Sequence, residues 1–136
     1  MLVWIGSVVA AAILCFMIGA TWYGVIFGTA VSSMHPAYAA QSAQSMAVSV
    51  VGLELARCLI VSATFAYFIH RMGITTMTAG LALAVVAWGG FQVVGLIGSI
   101  LHEDYPPKLF AIHMGDALAK AVASCSVIIG LTGRFG

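Results

Sequence analysis

Charge is what this chain has least of. Asp, Glu, Lys and Arg make up 7% of its 136 residues, where an average soluble domain has ~25%. Hydrophobic residues make up 62%, and the mean hydropathy is +1.12. That leaves too little polar surface to cover a water-soluble globule. A net charge of +1 supplies no basic field for nucleic acid and no acidic tail. The cysteines are few and scattered: Cys15, Cys58 and Cys125 lie in separate apolar runs. They form no CxxC pair and no zinc spacing, and read as buried free thiols. There is no HExxH, so no cofactor or metal is called for. The first segment lacks the basic start of a signal peptide and has too long an apolar run, so it is expected to stay as a mature helix.

What the chain does have is long apolar runs. Four stand out, at about 2–31, 46–70, 77–101 and 109–131. Each meets the ~20 residues needed to cross a bilayer core. Each should be helical, because a lipid-exposed span must satisfy its own backbone hydrogen bonds. The expectation is an all-α transmembrane bundle forming one domain over residues 1–136. Its first partner is the lipid bilayer, and it is expected to be a homo-oligomer or a subunit of a membrane complex.

The breaks between runs are polar. Residues 32–45 hold His35 and Pro36, residues 70–76 turn around Arg71 and Gly73, and residues 102–108 carry Glu103, Asp104, Pro106 and Pro107. Four spans put both termini on one side. Arg71 and Arg134 on that side outnumber Lys108 on the other, so both termini are placed in the cytoplasm and the protein in an inner membrane.

A faint repeat runs through the chain. Trp22-Tyr23-Gly24 is echoed by Trp88-Gly89-Gly90, and Gly52 with Leu55-Ala56-Arg57 by Gly115 with Leu118-Ala119-Lys120. Two hairpins repeated in parallel would be related by a pseudo-two-fold along the membrane normal. Ala20, Gly24 and Gly28 form a ridge of small residues, as do Gly95 and Ser99, and both should bring helices close within the bundle. A dimer seam is the alternative use. Trp4, Trp22, Tyr23, Tyr67, Tyr105 and Phe135 fall near span ends, as belt aromatics do. Trp88 lies deeper.

Some of the same residues carry a family resemblance. Gly19-Ala20-Thr21-Trp22-Tyr23 followed by Phe27-Gly28, then Trp88-Gly89-Gly90-Phe91, then Lys108-Leu109-Phe110, resemble the signatures of a bacterial membrane family, domain of unknown function 1761. The resemblance covers nearly the whole chain. It implies a small four-helix membrane protein and no particular activity. His113 and Asp116 stand where the family pattern has Asn and then Tyr, so a role of that site in the family need not carry over.

Four charges fall inside the spans: Glu54 and Arg57 on the second, Asp116 and Lys120 on the fourth. On the insertion scale each costs ~2.5–3.5 kcal/mol at the bilayer centre. They should therefore face protein or water and pair with one another. Spacings of three and four put each acid and base on one helix face. Counted at 1.5 Å per residue, both acids lie ~10–12 Å into the membrane, so all four charges can form one cluster between parallel helices. His113, Asp116, Lys120 and Ser124 share a face of the fourth helix, and Trp88, Gln92 and Ser99 a face of the third. These faces suit a polar cavity or interhelical hydrogen bonding.

Three functions fit. The leading one is a transporter or channel for a proton, ion or small polar solute, with Glu54, Arg57, His113, Asp116 and Lys120 at the site. Trp88, Gln92 and Ser124 would line the cavity, and His113 would relay protons. The alternative is a non-catalytic subunit or scaffold whose charges fix helix packing. The least supported is a membrane enzyme using His102, Asp104, His113 and Asp116, for which the sequence supplies no nucleophile–base pair.

Overall fold

The computed structural model describes residues 1–34 and 48–135, the side chains of Arg134 and Phe135 excepted. Expectations for His35, Pro36 and the start of the second span at residue 46 lie outside the described residues. Helix α1 runs Leu2–Thr21 and continues through a wider π-helical turn over Trp22–Ile26. A short α2 covers Gly28–Met34. Helix α3 covers Val48–Arg71 and α5 covers Pro107–Phe135. Helix α4 covers Met77–His102, with a π-helical turn in its middle at Trp88–Val93. Four of these helices, α1, α3, α4 and α5, are long and apolar enough to cross a membrane. Their outward faces are apolar: Ile13 and Met17 on α1, Leu53 and Ile60 on α3, and Val86 and Phe91 on α4 are all exposed. On a soluble monomer such a surface would be far too large. It suits lipid.

The first span is not continuous to residue 31, as its unbroken hydropathy suggests. Phe27 leaves helical geometry at φ −116°, ψ 4°. Its N–H donates to Trp22 O at 2.8 Å, five residues back. At Gly28 a Cβ would stand 2.6 Å from Tyr23 O, so the break needs a glycine there. The turn between α3 and α4 is also built by a glycine. Gly73 has φ 62°, its N–H donates to His70 O at 3.3 Å, and the Ile74 N–H donates to Ile69 O at 2.9 Å. This is a Schellman motif, and Ile74 packs back on the core that holds Ile69. Thr76 then caps α4 by accepting from Ala79 N–H at 3.3 Å.

Helix α5 is the hub. It packs on α1, α3 and α4, and α1 also packs on α3. Among the described residues α4 packs mainly on α5, and α3 and α4 make few contacts with each other. The end of the bundle near the α3–α4 turn is closed by Ala11, Phe65, Ile69, Ala84, Cys125, Ile128 and Ile129. Gly80 lets the Ile129 side chain close against α4. The far end is closed by Val31, Leu109 and Ile112, with Trp22, Tyr23, Phe27 and Tyr105 around them.

The small-residue ridges do not hold this bundle together. Among the described residues, a Cβ at Gly24 or at Gly95 would meet nothing within 4 Å. The close approaches are made elsewhere. At Gly19 a Cβ would lie 2.7 Å from Lys120 Nζ, and at Gly115 it would lie 2.8 Å from the Trp22 ring.

Candidate functional site

The charges of α3 and α5 meet. Lys120 Nζ donates to Asp116 Oδ2 at 2.8 Å and to Glu54 Oε1 at 3.2 Å. Arg57 closes on Glu54 with two bonds, Nε to Oε2 at 2.9 Å and a terminal nitrogen to Oε1 at 2.6 Å. The result is one alternating series, Asp116–Lys120–Glu54–Arg57, running across two helices. Two features of the sequence set it up. Spacings of three and four stack each acid with its base on one face. The matched depth of the two pairs on parallel helices lets Lys120 bridge them. Gly19 completes the arrangement from α1, since its missing side chain leaves the space that the Lys120 ammonium occupies.

Burial grades along the series. The side chains of Asp116 and Lys120 are 6% and 9% exposed, that of Glu54 is 32% and that of Arg57 is 59%. At the buried end, Asp116 Oδ1 has no hydrogen-bond partner among the described residues. A buried carboxylate oxygen left without a donor costs free energy, so it marks a place where a donor is wanted.

The gap between α3 and α4 forms a cleft of about 400 Å³ floored by α5. Asp116, Lys120 and His113 line it from α5, Arg57 from α3, and Gln92 from the π turn of α4. Tyr105, from the loop before α5, lines its outer part. The volume sits at the lower end of the ~300–1,000 Å³ usual for small-molecule sites.

Two tyrosines belong to this site that their positions in the sequence assign to the membrane interface. The Tyr23 hydroxyl hydrogen-bonds His113 Nδ1. The Tyr105 ring stands 6.1 Å from the His113 ring, centroid to centroid. The π turn at Trp22–Ile26 rotates Tyr23 inward, and hydropathy carries no signal for that. Trp22 is likewise turned inward. Its indole N–H donates to Ile112 O at 3.0 Å, and the Trp88 indole N–H donates to Met114 O at 2.9 Å. Each tryptophan of the repeat thus opens a π turn and is tied to the same helix. π turns of this kind are frequent at functional sites.

Ser124 lies below the cleft. Its hydroxyl is 3.1 Å from Cys15 Sγ and 3.3 Å from Ser62 Oγ, and Cys15 Sγ donates to Lys120 O at 3.4 Å. Trp88 does not line the cleft. Of the residues considered for cavity lining, Gln92 is the one on the cleft surface. His102, the last residue of α4, and Asp104, in the loop after it, are exposed and do not line the cleft with Asp116. All three cysteines are buried and free. Among the described residues, no group of three His, Cys, Asp or Glu side chains converges as metal ligands.

Each half forms a packed hairpin, α1 on α3 and α4 on α5. The two halves do not pack together as a full two-fold. Helix α1 packs on α5, whereas α4 stands away from α3. The cleft occupies the place of that missing contact.

A profile of the family described as "Protein of unknown function (DUF1761)" matches residues 7–129. The chain belongs to this family. It matches no curated protein and no solved structure.

Proposed function

We propose that this member of the DUF1761 family takes a proton, ion or small polar solute into the cleft between α3 and α4 and carries it across the membrane. Family membership brings no activity with it, so the reading rests on the site. One observation carries it: a cleft within the span region is lined by paired charges, and a buried carboxylate oxygen of Asp116 lacks a donor among the described residues. Charges at membrane depth are costly and typically mark ion, proton or substrate paths. His113, hydrogen-bonded to Tyr23 and one turn before Asp116, is placed to pass protons along α5 from the Tyr105 side. The two π turns flank the path. In this reading the protein lies in an inner membrane as a homo-oligomer with both termini in the cytoplasm, so the Tyr105 loop is on the opposite side.

Reconstitution in liposomes tests it. Flux of protons, monovalent ions or small polar solutes above that of protein-free vesicles is expected, and Asp116→Asn should abolish it while the protein remains folded. Background flux for all three classes would contradict the proposal.

A second reading has its own support. All four span charges pair within the chain, as a scaffold subunit would need to fix its helices. It differs in one outcome: the charges would then matter to assembly, and no flux would be seen.

A further inference from the structure

The charge series ends in two open valences. At its buried end Asp116 Oδ1 has no partner among the described residues. At its exposed end Arg57 spends Nε and one terminal nitrogen on Glu54. Its other terminal nitrogen has no partner among the described residues, and its side chain is 59% exposed. Both residues line the same cleft. Asp116 Oδ1 is itself buried, so a solute meets it only as the Asp116 side chain turns towards the cleft; the cleft then offers an acceptor in its depth and a donor at its mouth.

We propose that the cleft takes a small zwitterion, with an ammonium group on Asp116 Oδ1 and a carboxylate on Arg57. The inference rests on the reading of the cleft as a solute site and names the class of solute. Charge balance favours it. Asp116, Lys120, Glu54 and Arg57 sum to zero, as groups held at membrane depth should. A lone cation on Asp116 would add an uncompensated charge beside Lys120, whose ammonium sits 2.8 Å from the other oxygen of the same carboxylate. A lone anion on Arg57 would add one beside Glu54, 2.6 Å from the guanidinium. A zwitterion adds no net charge and continues the alternation at both ends. The cleft wall between those ends is partly apolar, with Val61, Leu96 and Met114. That suits a short methylene body between the two charged groups, and a cleft of about 400 Å³ limits the solute to a small one.

The test is binding to the purified full-length protein in detergent, read by thermal stability and titration calorimetry. Glycine, β-alanine and 4-aminobutanoate serve as zwitterions of increasing length. Propylammonium and butanoate serve as single-charge halves. At least one zwitterion should bind saturably, and neither half should bind at a tenfold higher concentration. Arg57→Gln should weaken zwitterion binding at least tenfold, with partial recovery in Arg57→Lys. The exposed position of Arg57 makes these variants safer for folding than changes at Asp116. Equal or better binding of one half would overturn the zwitterion and leave an ion site. Failure of all five probes, together with absence of flux in liposomes, would overturn the solute-site reading as well.

Discussion

The two halves of α5 pack by different means. From His113 to Ser124 its inner face is polar, and its neighbours are held by hydrogen bonds and charge: Tyr23 on His113, Glu54 on Lys120, Ser62 on Ser124. From Cys125 to Ile129 the inner face is apolar. There Ala11, Phe65, Ile69 and Ala84 close on it as one apolar cluster. Lipid tails are as apolar as these side chains, so the second half gains from close packing rather than from expulsion of water. The polar half floors the cleft, and the apolar half is closed by buried side chains. Cost and specificity are thus concentrated in the first half, and closure in the second.

The comparison breaks most sharply at Lys120. Lys120→Ala leaves Asp116 buried beside no cation, and breaking a buried pair typically costs ~3–5 kcal/mol. Asp116→Ala with Lys120→Ala should be milder than the single change, because Glu54 keeps Arg57. Glu54→Ala and Lys120→Ala should also couple across the helices by ~0.5–3 kcal/mol. Thermal or denaturant unfolding in detergent measures all of these. Additive losses would show that the two pairs act separately.

A smaller effect is expected from glycines. Gly115→Ala places a methyl against the rigid Trp22 ring, and overpacking of this kind costs ~1–3 kcal/mol. Gly24→Ala faces open space, so no packing penalty is expected there. Equal losses in the same unfolding assay would show that the Gly24 ridge meets another protein surface.

The smallest effects concern the indole bonds. Trp22→Phe and Trp88→Phe each remove one hydrogen bond to an α5 carbonyl, which in membranes is worth ~0.6 kcal/mol on average. Similar losses at both positions would support a shared role for the repeated tryptophans.

Much of this was legible in the sequence. Run length located four spans, and the spacings 54/57 and 116/120 located both ion pairs. Matched depth along parallel helices foretold the bridge from Lys120 to Glu54. What escaped was the choice of face. Helix α1 is apolar on nearly every side, so periodicity could not say that Gly19 faces Lys120 while Gly24 faces outward. Tyr23 and Tyr105 looked like interface aromatics because their sequence positions are near span ends. The π turn rotates one inward, and the loop before α5 brings the other to His113. The break at Phe27 was hidden because Gly28, which permits it, lies in an unbroken apolar run.

The most direct test of the central claim, that the mid-span cleft holds water or solute rather than lipid, is cysteine labelling at two adjacent positions on α4. Gln92 lines the cleft, and Phe91 beside it is 79% exposed on the outer face. In a background with Cys15, Cys58 and Cys125 replaced, Gln92→Cys and Phe91→Cys are treated with a membrane-impermeant maleimide in sealed vesicles. Maleimide reacts with the thiolate, which needs a polar surrounding to form. The account predicts rapid modification at 92 and little at 91. Absence of modification at 92 from both sides of the membrane, or equal modification at the two positions, would contradict it.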